Sequence, residues 1–184
     1  MIQSHVYIAA SLDGFIAREN GDLEWLEKFQ ELTQPGEDYG YSEFLSKMDC
    51  LILGRGTFEK VLSFKQWPYE GKTVVVLTQS RTWNEANIPQ GVLISSETPK
   101  TVLKRMQDKG YKNAYIDGGK VIQSFLRENL INSLTITQIP LLLGRGIQLF
   151  GELQRDIELE LIQSKSWPLG FVQSRYRVRA TPQT

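Results

Sequence analysis

Two stretches that lie far apart in the chain share one pattern: an apolar, strand-forming run ends in glycine and continues into a helical pattern. They are residues 51–59 (LILGRGTFE) and 115–122 (YIDGGKVI). A glycine at the end of a strand lets a ligand approach the backbone closely, and the following helix offers unpaired N–H groups and the positive end of its dipole to an anion. One such junction is common in α/β proteins. Two such junctions, the first of which contains an arginine, predict a dinucleotide site on an α/β fold.

The rest of the chain supplies the other strands and helices of such a fold. Short apolar runs that predict strands alternate with helical patterns, at residues 6–10, 50–53, 73–77, 92–94 and 114–116. The final third changes character, because three segments alternate apolar and polar residues with no helical pattern between the last two: 133–139, 157–162 and 171–178. We therefore expect a mostly parallel sheet that ends in antiparallel strands at one edge.

Composition limits the class of protein and its partners. With 184 residues, 41% of them hydrophobic and 23% charged, we expect one domain spanning residues 1–184. Lys plus Arg and Asp plus Glu both total 21, so the basic excess typical of nucleic-acid binding is missing and no nucleic-acid partner is expected. The start of the chain does not resemble a signal peptide, and no apolar run is long enough to span a membrane. These features predict a cytoplasmic protein without a membrane partner.

Several common chemistries are disfavoured by what the sequence lacks. The chain has a single cysteine, Cys50, and a single histidine, His5, so neither a disulfide framework nor a His/Cys metal site is predicted. Neither Gly-x-Gly-x-x-Gly nor Gly-x-x-x-x-Gly-Lys-Ser/Thr occurs, which argues against a standard Rossmann site and a P-loop. A dinucleotide would have to bind to another scaffold.

Five motifs in order along the chain resemble the dihydrofolate reductase-like superfamily. They are AASLDGFIA (9–17), LGRGTFE (53–59), LTQSR (77–81), IDGG (116–119) and IPLLLG (139–144). The chain resembles in particular the reductase domain of bifunctional riboflavin-biosynthesis deaminase/reductases and its stand-alone relatives. The zinc ligands of the deaminase half have no counterpart, so deamination is not expected. The resemblance implies a three-layer α/β/α fold with a mixed, mostly parallel central sheet that ends in antiparallel C-terminal strands.

The cofactor that the resemblance implies is NADPH. Gly54, Arg55, Gly56 and Thr57 would form the turn at the pyrophosphate, although an ordinary strand-to-helix turn is the alternative. A second group would contact the ribose 2′-phosphate, with a plain surface arginine as the alternative for its last member: Thr78, Ser80 and Arg81. The superfamily joins its paired glycines through a cis peptide, which we expect between Gly118 and Gly119. Three flanking residues complete the predicted cofactor set: Ala10, Lys120 and Val121.

The substrate side has fewer candidates, because hydride transfer requires positioning and at most one acid. Asp22 matches the position of the pterin-binding acid of dihydrofolate reductases, but it is equally a natural helix cap. Asp13 matches a motif of the riboflavin-type branch, with a turn aspartate as the alternative. Trp25, Phe29 and Trp67 either line a pocket for a flat ring or belong to the core. The Gly144-Arg145-Gly146 loop either closes over the substrate or is a surface turn.

The function implied is NADPH-dependent reduction of a small molecule, similar to that of 5-amino-6-(5-phosphoribosylamino)uracil reductase in riboflavin biosynthesis. A dihydrofolate or pteridine reductase is the first alternative, and it gains if Asp22 lies in the pocket. A regulatory protein that binds NADPH without catalysis is the second. Because relatives of this type often dimerise, we expect a homodimer formed through the strand-rich C-terminal part.

Overall fold

A computed structural model describes residues 1–80 and 88–179. The strands are β1 (Gln3–Ser11), β2 (Phe15–Ala17), β3 (Cys50–Gly54), β4 (Thr73–Leu77), β5 (Val92–Ser95), β6 (Asn113–Asp117), β7 (Ser133–Ile139), β8 (Ile147–Gln148), β9 (Leu159–Ser166) and β10 (Val172–Val178). The helices are α1 (Glu24–Glu31), α2 (Tyr41–Ser46), α3 (Arg55–Leu62), α4 (Pro99–Asp108) and α5 (Gly119–Arg127). None of the helices in these described ranges is long and apolar enough to cross a membrane.

The central sheet has eight strands in the order β5-β4-β3-β6-β1-β7-β10-β9. The strands from β5 to β7 are parallel, while β10 runs antiparallel to both β7 and β9. A short turn at Pro168–Gly170 joins β9 to β10 in the predicted hairpin. The mixed sheet with antiparallel C-terminal strands is therefore confirmed. Strands β2 and β8 form a separate two-stranded sheet, which was not predicted because such short strands leave no periodic pattern.

Helices cover both faces of the central sheet. On one face α4 and α5 bury their apolar stripes against side chains such as Ile52 and Ile116. On the other, α3 and the aromatic residues around it pack against alternate side chains of the same strands, including Leu53 and Tyr115. Successive strand residues point to opposite faces, so each parallel strand contributes to both layers. The result is the predicted three-layer α/β/α arrangement.

The two glycine junctions lie side by side. Strands β3 and β6 are parallel neighbours, and Leu53 pairs with Asp117 at their carboxyl ends. The residues that follow, Gly54 and Gly118, therefore leave the same edge of the sheet next to each other. In open α/β sheets this edge is where ligands bind.

The predicted cis peptide between Gly118 and Gly119 is wrong. The described residues contain no cis peptide bond, and the chain turns at Gly118 through a positive φ of 94°. The N–H of Gly118 also bonds back to Oδ1 of Asp117 at 2.7 Å. A positive φ at glycine is enough to redirect the chain from β6 into α5, so the turn forms with a trans peptide.

Candidate active site

A cleft of about 1550 Å³ opens at the carboxyl edge of the parallel strands. It is lined by residues of β1, β3, β4, β6 and β7, by α3 and α5 along their length, by the small sheet of β2 and β8, and by residues near the starts of α1 and α2. Pockets for a single small ligand usually enclose about 300–1,000 Å³. The volume is therefore suited to a dinucleotide and a second small molecule together.

The paired glycines allow the two junctions to pack against each other without side chains between them. A Cβ on Gly118 would lie 2.4 Å from Oγ1 of Thr57, and a Cβ on Gly119 would lie 2.8 Å from the carbonyl oxygen of Gln148. A Cβ on Gly54 would lie 3.1 Å from Cγ2 of Val121. Both junctions thus belong to one close-packed wall of the cleft, as expected for a single dinucleotide site.

Both helices that leave this wall begin without a capping side chain. Gly54 precedes α3 and Gly118 precedes α5, and neither helix start has a side-chain hydrogen bond to its first N–H groups. These N–H groups and the helix dipoles favour an anion such as a pyrophosphate. Arg55 lies on the first turn of α3, where its Nε donates to Oε1 of Glu59 at 2.7 Å. The residues present therefore fit the phosphates of a dinucleotide.

The structure brings most of the predicted cofactor residues to the cleft. Those that line it are Gly54, Arg55, Gly56, Thr57, Thr78, Gly118, Gly119, Lys120 and Val121. Ser80 is not in the lining, but its N–H donates to Oγ1 of Thr78 at 3.1 Å. Arg81 lies outside the described residues. Ala10 is buried in the layer of α4 and α5, while Ala9 lines the cleft instead.

One part of the cleft was not predicted from the sequence. Residues 96–98, which connect β5 to α4, and Pro99 at the start of α4 line it close to Thr78. They reach this place because β4 and β5 are parallel neighbours and the N–H of Thr78 donates to the carbonyl oxygen of Ser95 at 2.9 Å. The sequence does not show which strands are neighbours in the sheet. It therefore did not indicate that the connection from β5 to α4 lines the cleft.

Asp13 lies at the turn between β1 and β2 and holds a distant loop. Its Oδ1 accepts from Oγ of Ser11 at 2.6 Å and from the N–H of Leu143 at 3.0 Å, and its Oδ2 accepts from the N–H of Gly144 at 2.8 Å. The hydrogen bond from Ser11, aided by those from the two backbone N–H groups, lowers the pKa of Asp13. Asp13 is not in the lining of the cleft. Its contacts are those of a turn aspartate, and a catalytic role for it stays a prediction without a supporting contact.

Replacing Asp13 with alanine is expected to release the loop that contains Gly144. The backbone N–H groups of Leu143 and Gly144 would lose their carboxylate partner and exchange with solvent. Hydrogen exchange should rise by about tenfold or more at these two amides. Amides in α4, on the other face of the sheet, serve as the internal control. Unchanged exchange at Leu143 and Gly144 would show that Asp13 does not hold the loop.

Asp22 lies at the start of α1, at the edge of the cleft between the lining residues Gly21 and Leu23. Its Oδ1 accepts from the N–H groups of Leu23 at 2.7 Å and Glu24 at 3.2 Å, and Nζ of Lys60 lies 3.7 Å away. These contacts match the helix-capping alternative. Asp22 is not in the lining of the cleft. The arrangement that would favour pterin recognition by this carboxylate is therefore not seen.

The aromatic residues in the cleft differ from those considered in the sequence. Trp25 is buried against Ile139 and Phe171, and Trp67 packs against Phe58 and Tyr69. Neither tryptophan lines the cleft, and neither does Phe29. The aromatic lining consists of Tyr7, Tyr39, Tyr41, Phe64, Tyr69, Tyr115 and Phe171. These residues are distant in sequence, so no local pattern indicated that they share one surface.

Asp117 is an acid that lines the cleft directly beside the glycine wall. It ends β6, directly before the glycine pair, and lies in the lining with Tyr41, Tyr69 and Tyr115. Burial raises the pKa of the Asp117 carboxyl to about 6, although the hydrogen bond from the Gly118 N–H opposes the shift. A carboxyl group that titrates near neutral pH can hold or release a proton during a reaction.

The tyrosines around Asp117 stay protonated at neutral pH. Burial raises the pKa of Tyr41 to about 12, and it also raises the pKa values of Tyr69 and Tyr115. The hydroxyl of Tyr115 donates to the carbonyl oxygen of Tyr7 at 2.9 Å. Asp117 is therefore the acid of this group that can change its protonation state. In the sequence, Asp117 could have been recognised as a candidate site residue because it ends a predicted strand directly before two glycines.

A metal centre is not formed by the part of the chain that the structure describes. Within residues 1–80 and 88–179, no group of three or more His, Cys, Asp or Glu side chains could hold a metal ion. The cleft instead combines a glycine wall, two helix starts without a capping side chain, several tyrosines and the half-buried carboxyl group of Asp117. This chemistry is compatible with hydride transfer, which needs positioning and one proton source.

Comparison with known proteins agrees with this geometry. Residues 5–172 match the model of the RibD C-terminal domain. The uncharacterized protein YwjB of Bacillus subtilis (strain 168) is 38% identical over 166 residues, which cover 88% of this chain and 90% of YwjB.

Solved structures share the fold. A Shewanella sp. PV-4 protein assigned to riboflavin biosynthesis superposes with a TM-score of 0.88 at 35% identity, covering 97% of this chain and 100% of that one. Dihydrofolate reductase from Enterococcus faecalis, solved with NADP(H), gives a TM-score of 0.67 at 18% identity, covering 97% of each chain. The second likeness shows the dihydrofolate reductase-like fold.

Proposed function

Because the chain belongs to the family of RibD C-terminal domains, we propose that it is an NADPH-dependent reductase of a small heterocyclic substrate of the aminouracil type. The observation that carries this proposal is the pair of glycine junctions that meet in one cleft beside Asp117. We also propose a cytoplasmic location, which suits the free, buried thiol of Cys50.

The residues that would hold NADPH are those of the glycine wall of the cleft. The first N–H groups of α3 and α5, with the Thr57 hydroxyl, would bind the pyrophosphate. Thr78 and the neighbouring turn would bind the ribose 2′-phosphate, with Ser80 and Arg81 as the further predicted contacts. Bound NADPH would supply a hydride.

Asp117 would supply the proton that accompanies reduction. A half-buried carboxyl with a pKa of about 6 is partly protonated near neutral pH. Tyr41, Tyr69 and Tyr115, whose side chains stay protonated, would donate hydrogen bonds that orient the substrate. We propose that the chain contributes to catalysis in two ways. The tyrosines position the substrate, and Asp117 supplies the proton.

The first compound to test is 5-amino-6-(5-phosphoribosylamino)uracil, the substrate implied by the resemblance to riboflavin-pathway reductases. A dihydrofolate or pteridine reductase is less favoured because the Asp22 carboxylate is bonded to the N–H groups at the start of α1. A regulatory protein without catalysis is less favoured because a titratable acid lies in the cleft beside the glycine wall. An assay of NADPH oxidation distinguishes both alternatives from the proposed function.

The assay follows NADPH absorbance while the purified protein is mixed with aminouracils and with dihydropteridines. We expect oxidation of NADPH with at least one aminouracil, and kcat of the usual order of about 1–10³ s⁻¹. Turnover only with dihydropteridines would favour the pteridine alternative. Tight NADPH binding without turnover of either class would favour the regulatory protein.

Replacing Thr78 with glutamate is expected to reduce the preference for NADPH over NADH. A carboxylate at this place would repel the 2′-phosphate of NADPH but could accept from the 2′-hydroxyl of NADH. We expect NADPH to bind at least about tenfold more weakly, a loss of roughly 1.4 kcal/mol, while NADH binding changes little. Fluorescence titration with both cofactors measures this, and the control is Gln3→Glu, which adds the same charge at an exposed residue at the start of β1, outside the lining of the cleft. Equal loss for both cofactors would place the 2′-phosphate elsewhere.

We further propose that the protein is a homodimer formed through β9 and β10. Strand β9 is an edge strand whose large apolar side chains are exposed, with Leu161 at 55%. Exposed edges of this kind favour pairing with another chain. Light scattering should give twice the mass of one chain, and Leu161→Lys should shift the protein toward the monomer. A monomeric wild-type protein would refute this proposal.

A further inference from the structure

The part of the cleft lining outside the glycine wall includes a surface that we term the substrate side. Its members are Tyr7, Tyr39, Tyr41, Tyr69, Tyr115, Thr137 and Phe171. Tyr7 lies on β1 and Thr137 on β7, whereas Tyr39 lies on the loop before α2. Only contacts between these segments can hold the loop residue against the two strands.

One side chain outside the lining joins all three segments. Gln173 lies on β10 opposite Thr137 of β7, and it is not in the lining of the cleft. Its Nε2 donates to Oγ1 of Thr137 at 2.9 Å, to the hydroxyl oxygen of Tyr7 at 2.9 Å and to the carbonyl oxygen of Tyr39 at 3.2 Å. Because a carbonyl oxygen can only accept, the amide of Gln173 must present its NH₂ group here. Gln173 therefore supports three lining residues at once.

The backbone of Tyr39 depends on support of this kind. Its φ of 58° lies in the left-handed region, which is unfavourable for a residue with a side chain and persists only where the surroundings hold it. The carbonyl oxygen of Tyr39 accepts from both the Gln173 amide and the Tyr7 hydroxyl, so both of its lone pairs have partners. Without the Gln173 amide, this carbonyl would lose one of the two bonds that anchor it.

The hairpin of β9 and β10 holds the same loop at a second point. Nε1 of Trp167 donates to Oε2 of Glu37 at 3.0 Å, and Oε1 of Glu37 accepts from the N–H of Tyr39 at 2.7 Å. The rings of Tyr39 and Trp167 also pack edge to face, with their centroids 5.2 Å apart. The position of the loop therefore depends on the C-terminal strands as well as on bonds within the loop.

We propose that Gln173 is a positioning residue for the substrate of this cleft, and that it acts through the lining residues Tyr7, Tyr39 and Thr137. The proposal rests on the proposed function, since it concerns substrate binding by the same reductase. A surface that is already ordered costs less free energy to bind. When the ordered arrangement is only fractionally populated, the apparent affinity for a ligand falls by that fraction. Loss of the Gln173 amide should therefore weaken substrate binding and leave the cofactor at the glycine wall unaffected.

The substitution Gln173→Met keeps the length of the side chain and removes its hydrogen-bond donors. With 5-amino-6-(5-phosphoribosylamino)uracil and saturating NADPH, we expect KM to rise by about tenfold while kcat changes by less than about twofold. NADPH affinity, measured by fluorescence titration, should be unchanged. A merely structural role would reduce the amount of folded enzyme, which lowers the apparent kcat and leaves KM unchanged.

The matched control is Gln138→Met, which makes the same change at an exposed residue of β7, next to Thr137 and outside the lining. Its KM should equal that of the wild type. An unchanged KM in folded Gln173→Met, or an equal rise in Gln138→Met, would overturn the proposal.

Hydrogen exchange tests the role of Gln173 without a substrate. The N–H groups of Gly40 and Ser42 donate to the Asp38 carboxylate within the loop. Their exchange should rise by about fivefold or more in Gln173→Met, and also in Trp167→Phe, which keeps an aromatic ring but cannot donate to Glu37. Unchanged exchange in Gln173→Met would overturn the proposal. Absence of turnover by the wild type would refute the proposed function, whereas the exchange result would still decide whether Gln173 orders the loop.

Discussion

Replacing Gly118 with alanine is expected to abolish measurable NADPH binding. The added Cβ would lie 2.4 Å from Oγ1 of Thr57, and the φ of 94° is unfavourable for any residue with a side chain. To relieve the overlap, either the Thr57 hydroxyl rotates away or α5 moves away from α3, and each change removes contacts that would bind the pyrophosphate. Loss of two charge-assisted hydrogen bonds would weaken binding by about 100-fold or more. Fluorescence titration with NADPH measures the loss.

The matched control for this substitution is Gly110→Ala. Gly110 also has a positive φ, of 88°, but a Cβ there meets no atom within 4 Å, and the residue lies after α4, outside the cleft. It should cost about 1–2 kcal/mol of stability and leave NADPH affinity unchanged. Circular dichroism shows whether each variant is folded. A folded Gly118→Ala variant with wild-type NADPH affinity would contradict the proposed site.

Replacing Asp117 with asparagine is expected to lower kcat by about 10²–10⁴ while NADPH binding is retained. The amide cannot donate the proton, but its oxygen can still accept from the N–H of Gly118, so the turn before α5 is preserved. Steady-state kinetics gives kcat, and titration gives cofactor affinity. The matched control is Asp108→Asn, at an exposed residue at the end of α4. A wild-type kcat in Asp117→Asn would show that the proton comes from another group.

The pH dependence follows from the direction of the shift at Asp117. Its pKa is raised from 3.8 to about 6 in the folded protein, so the protonated acid, and with it kcat, should decline as the pH rises through about 6. The raised pKa also affects the stability of the folded protein. Its contribution is fully present below the pKa of the unfolded chain, where Asp117 is protonated, and it is lost as the pH rises through the pKa of the folded protein. Above pH 7, Asp117→Asn should therefore be more stable than the wild type, by about 3 kcal/mol at most. Thermal unfolding at several pH values measures this.

Much of the fold could be predicted because its patterns are local. The continuous apolar runs at β3 and β4 indicated central parallel strands, and the alternating segments near β10 indicated an antiparallel edge. The glycine junctions indicated a ligand wall because the physical requirement, close approach to backbone, acts on the glycine itself. Strands β2 and β8 were missed because their pairing depends on contacts between distant parts of the chain.

The substrate side could not be predicted for the same reason. Tyr7, Tyr41, Tyr69 and Tyr115 come together only after the sheet and two loops are in place. Asp22 and Asp13 matched family motifs, but their carboxylates are bonded to backbone N–H groups of a helix start and a loop. A motif identifies the residue at a position, whereas the direction of its side chain is set by tertiary packing. Ala10 illustrates this. Its neighbour Ala9 lines the cleft, whereas the Ala10 side chain lies on the opposite face of the sheet, because successive strand residues point to opposite faces.

The central claim is that the two glycine junctions form one NADPH site beside Asp117, and a crystal structure of the NADPH complex tests it most directly. We expect the pyrophosphate within hydrogen-bonding distance of Thr57 and of the first N–H groups of α5, with the nicotinamide ring directed toward Asp117. A cofactor bound elsewhere, or crystals without bound cofactor after soaking at about 1 mM NADPH, the upper end of usual KM values, would contradict the claim.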